Sequence, residues 1–215
     1  MYDLHTHTIH SDGELLPTEL IRRAAVLGYD IIGITDHADR SNISQIIKMT
    51  ESIRSSAEEY GIRLVTGVEI THVPPREIPE LARLAKEEGA EIVIVHGETV
   101  VEPVMKGTNS AACSCEYVDI LAHPGLISEQ DAELAKASGV FLEITSRGGH
   151  NRTNGHVYRI AERTGCRMVV DSDTHDPGDL MTEEARKAVA LGAGMNRDTA
   201  DKILSDYEVR DLLKR

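Results

Sequence analysis

Seven short runs rich in β-branched residues recur along the chain, and amphipathic stretches with helical spacing separate them. The runs read YDLHTH, DIIGITDH, IRLVTGVEI, EIVIVHGE, VDILAHPG, GVFLEITS and RMVVDSDTH. Each has strand length and is nearly continuous in apolar residues, as a strand covered on both faces must be. Between them, Leu20, Ala24 and Leu27, then Ile43, Ile46, Ile47 and Thr50, then Ile78, Leu81, Ala82 and Ala85 recur at three- and four-residue spacing. Strands alternating with helices imply right-handed βαβ crossovers and a parallel sheet. Seven such units fit a closed or nearly closed barrel better than an open sheet.

Gly28, Gly61, Gly89, Gly139, Gly165 and Gly192 stand where these helices should stop. Ser128 with Asp131 reads as a capping box, and Thr182 before Glu183 and Glu184 opens another helix. The tail NRDTADKILSDYEVRDLLKR is helical with no strand after it, and is expected to pack across the barrel as a closing element. No Pro/Gly/Ser linker interrupts the 215 residues, so residues 1–215 are expected to form a single domain.

The chain has no Trp and one Phe, Phe141, so its core must be Ile, Leu, Val and Ala. A formal net charge of −13 argues against a general nucleic-acid or anionic-membrane surface, which needs a basic stripe. Bound divalent cations would offset that charge locally, so acidity overall is compatible with affinity for phosphate. Cys113, Cys115 and Cys166 form no disulfide framework and read as structural thiols. No apolar run approaches the roughly 18 residues needed to span a bilayer, and no signal-peptide core begins the chain, so a cytoplasmic location is expected.

The chemistry-bearing residues cluster at one end of the strands. His5 and His7, His37 after Asp36, Glu69, His96, His123, and Asp173 with His175 all lie at the C-terminal end of their runs. In a parallel barrel these ends share the face whose loops build the active site, whereas satisfied core residues would scatter. His5 and His7, two apart on a strand, point to one side. Six histidines and at least three carboxylates, with no thiolate, match Zn²⁺, Mn²⁺ or Fe²⁺. The number of donors exceeds one coordination sphere and implies two to three divalent ions, with Glu69 the simplest bridge between two of them. Such an ion lowers the pKa of its water from about 15.7 to about 7, making hydroxide available at neutral pH.

DLHTHTIHSDG, ITDHAD, GVEIT, VHGE, LAHPG and DSDTH, in this order, resemble the PHP (polymerase and histidinol phosphatase) family over nearly the whole chain. The resemblance implies a distorted (β/α)7 barrel and a trinuclear metal-dependent phosphoesterase. It implies His5, His7, Glu69 and Asp173 as one ligand set, Glu69, His96 and His123 as a second, and Asp12, His37 and His175 as a third. Some members carry a histidine where Asp12 stands, and many carry an aromatic where His10 stands, so His10 is the rival for that place.

Phosphate esters want bidentate cationic donors, which Arg supplies best. Arg147, Arg152 and His150 lie in the segment EITSRGGHNRTNGH, and Arg76 lies in THVPPREIP with His72, which reads as a surface residue. The first segment resembles the family's sixth-strand motif, with Thr145 where an Asn is expected. Asp36 beside His37 is a candidate for holding a ligand or handling a proton, although on a strand it points the other way. The expected activity is hydrolysis of a small-molecule phosphomonoester, with Glu69, Asp173 and His175 at its catalytic centre and no nucleic-acid or membrane partner. The alternatives are a phosphodiesterase or nuclease, and a non-catalytic metal-binding module.

Overall fold

The inward positions of the strands are filled in two layers, apolar below and ionisable above, and this layering determines where the site lies. The computed structural model describes residues 1–214. Its strands are β1 (Tyr2–Asp3), β2 (Ile31–Ile34), β3 (His37–Ala38), β4 (Arg63–Ile70), β5 (Ile92–His96), β6 (Ile120–Ala122), β7 (Phe141–Thr145) and β8 (Met168–Asp171). All neighbours pair in parallel in the order β1-β2-β4-β5-β6-β7-β8, and β3 also pairs with β4. Ile34 faces Thr66 and His37 faces Glu69, so β2 and β3 are one strand in a single register, interrupted at Thr35 and Asp36. The seven sequence runs therefore correspond to seven strands of a nearly closed PHP-like α/β barrel.

The seam between β1 and β8 is closed by side chains as much as by backbone. Thr6 and Thr174 form one parallel bridge. Below it, the Leu4 N–H donates to Asp171 Oδ1 at 2.8 Å and the Ser172 N–H to Asp3 Oδ1 at 3.2 Å. Both carboxylates are fully buried; burial pushes Asp3 up to about 6 and Asp171 well above the usual carboxylate range.

Helices α1 (Pro17–Leu27), α2 (Ile43–Glu51), α3 (Arg54–Glu59), α4 (Ile78–Glu87), α5 (Thr108–Cys113), α6 (Glu129–Ser138), α7 (Asn154–Thr164) and α8 (Glu183–Gly192) connect the strands or follow them. Outward residues such as Val93, Val95, Leu142 and Ile144 meet Leu81, Ala85, Ala135 and Ala161 of these helices. Ser128 Oγ accepts from the Asp131 N–H and Thr182 Oγ1 from the Ala185 N–H, as their sequence positions predict. Gly192 differs from expectation: it ends α8 in helical geometry, and the left-handed turn falls on Gly194 (φ 102°).

The C-terminal tail, expected to be helical, is two helices, α9 (Arg197–Ile203) and α10 (Asp206–Leu212). Val209 and Leu212 of α10 join Leu4, Ile31, Val65, Ile92, Ile120, Phe141 and Val169 in one buried cluster, which plugs the N-terminal end of the barrel. Among the described residues no helix is long and apolar enough to cross a membrane.

Candidate metal centre

Strand alternation carries the layering into the site. On β4 the inward positions run Val65, Gly67, Glu69; on β5 Ile92, Ile94, His96; on β7 Phe141, Glu143, Thr145. Gly67 is required by space: a Cβ there would lie 2.4 Å from Ile92 Cγ2 and 2.9 Å from Thr35 Cγ2. His123 and Asp173 sit just past β6 and β8 with positive φ (26° and 55°), a backbone state that costs non-glycine residues about 1–3 kcal/mol and concentrates at functional sites.

The histidines and carboxylates converge as the sequence predicts. The Nε2 atoms of His5 and His7 are 3.1 Å apart, and His7 Nε2 lies 3.2 Å from Asp173 Oδ1. Glu69 is central: its oxygens lie 3.5 Å from His5, 3.7 Å from His7, 3.3 Å from His96, 3.5 Å from His123 and 2.6 Å from His37. Asp12 Oδ1 lies 3.4 Å from His37 Nε2 and 3.3 Å from His175 Nε2. Donor atoms of His5, His7 and Glu69, of Glu69, His96 and His123, of His5, His123 and Asp173, and of His7, Asp12, His37 and His175 form four compact sets, each within 4.8 Å. His10 belongs to none of them.

The ionisation pattern matches this crowding. Burial raises the cost of charge at Glu69 and Asp173, yet the surrounding histidines hold both below the usual carboxylate range. His37 is pushed up to about 10 because Glu69 and Asp12 outweigh its burial, while His7 is pushed down to about 4 by burial and by His37 and His5.

Divalent cations fit this donor set. Glu69 Oε1, Asp173 Oδ1, both ring nitrogens of His96 and His123 Nδ1 are buried with no hydrogen-bond partner, a state that polar groups avoid unless something else satisfies them. Ligands about 2.1 Å from a tetrahedral ion stand roughly 3.4 Å apart, and the separations above bracket that value.

Residues outside the donor set hold it in place. Glu143, buried, accepts from His5 Nδ1–H at 2.6 Å through Oε1 and from the His123 N–H at 2.8 Å through Oε2. That bond fixes Nδ1 as a protonated nitrogen and turns His5 Nε2 to the cluster side, 3.1 Å from His7 Nε2. Sequence reasoning missed Glu143, although its parity with Phe141 and Thr145 marks it as inward. Asp36 accepts from Thr8 N–H (2.7 Å), Thr8 Oγ1 (2.8 Å) and Ser11 Oγ (2.6 Å), so it fixes the loop that carries Asp12. Thr145 Oγ1 accepts from the Arg147 N–H and is spent inside its own loop.

A cavity of about 60 Å³ opens beside the cluster, lined by Asp12, His37, His96, His123, Asp173 and His175 together with Arg147, His150 and Glu102. Arg147 is held there by a 2.8 Å ion pair with Asp179. Arg152 and Arg76 do not line it; Arg152 is exposed on the turn after Gly149, and the Arg76 side chain is 86% exposed. His72 is half exposed, 3.5 Å from Glu102.

A parallel barrel with a buried histidine–carboxylate cluster at the C-terminal ends of its strands defines an α/β-barrel protein with a candidate metal centre. The chain belongs to the PHP domain family, whose model matches residues 3–157. It is 50% identical to an uncharacterized protein of Methanocaldococcus jannaschii over 216 residues, covering 100% of this chain and 99% of that one. A probable phosphatase of Thermoanaerobacter sp. is 27% identical over 217 residues, covering 91% of this chain and 87% of its own. A 5'-3' exoribonuclease of Haemophilus influenzae matches locally, 41% identical over 70 residues, which is 33% of this chain and 23% of that protein. Among solved structures, a histidinol phosphatase candidate from Listeria monocytogenes superposes with a TM-score of 0.62 at 13% identity, covering 84% of this chain and 97% of its own, and shows the shared fold.

Proposed function

We propose that this PHP protein hydrolyses phosphomonoesters of small molecules at a centre of two to three divalent ions, Zn²⁺, Mn²⁺ or Fe²⁺. The observation that carries this reading is the overlap of the donor sets at Glu69, His5, His7 and His123 beside a small cavity with one anchored arginine. His5, His7, Glu69 and Asp173 form one ligand set, Glu69, His96 and His123 a second, and Asp12, His37 and His175 a third. When bound, such ions supply Lewis acidity toward phosphoryl oxygens and lower the pKa of water.

The chain's own residues bind, orient and position. Glu143 holds His5 in one tautomer, and the Asp173 carbonyl accepts from His175 Nδ1–H at 2.9 Å, which leaves His175 Nε2 facing Asp12. Arg147, pre-ordered by Asp179, offers guanidinium N–H groups to a phosphate oxygen, and His150 lines the same cavity. A buried water occupies about 10–15 Å³ on the same measure, so 60 Å³ suits one phosphoryl group. Arg76 and Arg152 are left without a substrate role.

The acidic balance and, among the described residues, a groove beside the cavity lined by no lysine or arginine favour a small ester over a polynucleotide. The test is metal analysis of the purified protein followed by a screen of phosphate esters with Mn²⁺, Zn²⁺ and Fe²⁺ added back. Release of phosphate from a small monoester supports the reading. Cleavage of oligonucleotides without comparable monoester activity replaces it with the diesterase alternative, and metal binding without any hydrolysis replaces it with the non-catalytic one.

A further inference from the structure

Among the described residues, Glu102 is the one carboxylate lining the cavity that belongs to none of the three ligand sets. It lies on the loop between β5 and α5, its side chain 47% exposed, 3.5 Å from His72 Nε2 and 3.8 Å from His150 Nε2. Among the described residues no lysine, arginine or backbone N–H binds it. Glu98, four residues earlier, shows the contrast: its Oε1 accepts from the Gly107 and Asn109 N–H groups at 2.8 and 3.1 Å and so holds the loop.

Glu102 stands where two cavities meet. The small one is the phosphate pocket. The larger, about 510 Å³, shares Asp12, His37 and Glu102 with it and continues over Asp39, Ser41 and Thr71. Among the described residues no lysine or arginine lines that groove. At the junction His150, whose side chain is nine-tenths buried, has an Nδ1 with no partner. An ester whose phosphate fills the small cavity would lay its alcohol half along this groove.

We propose that the groove holds the leaving alcohol and that Glu102 selects alcohols carrying uncharged or cationic hydrogen-bond donors against those carrying a second anionic group. This rests on the phosphomonoesterase reading and narrows it. Cations at the centre would neutralise Asp12, while Asp39 and Glu102 remain as carboxylates with no lysine or arginine beside them in the groove lining. A hydroxyl or ammonium group on the alcohol gives Glu102 the donor that the fold withholds. A carboxylate or second phosphate meets like charge at short range, which is how a site rejects a wrong ligand.

The experiment compares glycerol 3-phosphate with 3-phosphoglycerate, which differ by CH₂OH against COO⁻ at one end. Binding is read by calorimetry and hydrolysis by phosphate release, on metal-loaded wild type, Glu102→Gln and Glu102→Lys, with metal content measured in each. The wild type should favour glycerol 3-phosphate by at least about tenfold. Glu102→Gln should shrink that ratio, and Glu102→Lys should reverse it with metal content unchanged. An identical ratio in all three proteins overturns the proposal. So does loss of metal in Glu102→Gln, which would make Glu102 a ligand together with His72 and His96, a set whose donor atoms also lie within 4.8 Å. If both esters bind and neither is hydrolysed, the phosphomonoesterase reading fails while the calorimetric ratio still decides selectivity; if neither binds, the proposal falls.

Discussion

The two ends of the barrel interior follow opposite rules. At the N-terminal end, Val209 and Leu212 seat against Leu4, Val65, Ile92, Phe141 and Val169 in a purely apolar plug. At the C-terminal end, within a few residues on the same strands, the inward positions are Glu69, His96 and Glu143, with His123 and Asp173 in positive-φ backbone just beyond. The lower layer gains about 25 cal/mol for each Å² of apolar surface it buries. The upper layer keeps buried polar atoms without partners, each costing about 1–3 kcal/mol until something satisfies it. One half of the interior thus holds the other in a state that only ligands complete.

The sharpest way to break this contrast is at Glu69. Glu69→Gln should abolish phosphoesterase activity and lower metal content by more than one equivalent, because the same carboxylate reaches five histidines. Glu87→Gln, on the exposed end of α4, should change neither. Full metal occupancy in Glu69→Gln would remove the shared-ligand assignment.

The opposite perturbation belongs to the plug. Leu212→Ala should lower stability by about 2–5 kcal/mol, as deletion of a buried leucine does, while leaving metal content unchanged. Denaturation and metal analysis on one sample read both quantities. A loss of metal at 25 °C in a protein still folded would show that the two layers are coupled.

Arg147→Ala should cost roughly 2–4 kcal/mol in kcat/KM, the range for cutting one partner of a desolvated charged pair, with metal content unchanged. Wild-type kinetics on every ester would return Arg147 to a purely structural pair with Asp179. Glu143→Gln comes next: loss of an outer partner of a ligating histidine lowers metal affinity by about 10–100-fold, to be read by competition with a chelator. Unchanged affinity would make Glu143 a strand-packing residue only.

What the sequence made legible follows the same division. Strand ends rich in His, Asp and Glu are visible because local alternation places them without knowledge of any neighbour. Glu143 was not, since a lone acid in the apolar run FLEIT acquires meaning only when the β7 register brings it to His5 and His123. Asp3 and Asp171 were invisible as seam residues for the same reason: their partners are backbone N–H groups across the chain's two ends. Arg152 and Arg76 show the converse limit. Both follow strand ends closely, yet the turn at His150–Thr153 leaves Arg152 exposed outside the cavity, so nearness in sequence overstated nearness to the site.

The smallest expected effect separates His10 from Asp12, two residues of one loop on the upper face. Asp12 Oδ1 sits between His37 and His175, whereas His10 joins no donor set and its backbone N–H donates to Thr8 Oγ1 at 3.2 Å. If the unusual character of the upper end is confined to the donors, His10→Phe should behave as an ordinary surface change, within about 0.5 kcal/mol of wild type in stability, and retain every ion. Asp12→Asn should lose the most weakly held ion, because the amide keeps the shape but gives up the charge that offsets a cation beside His37 and His175. Metal content of the two variants, measured side by side after dialysis, decides the matter. Loss of an ion in His10→Phe with retention in Asp12→Asn would move the third ligand to His10 and require the loop that Asp36 holds to rearrange around it.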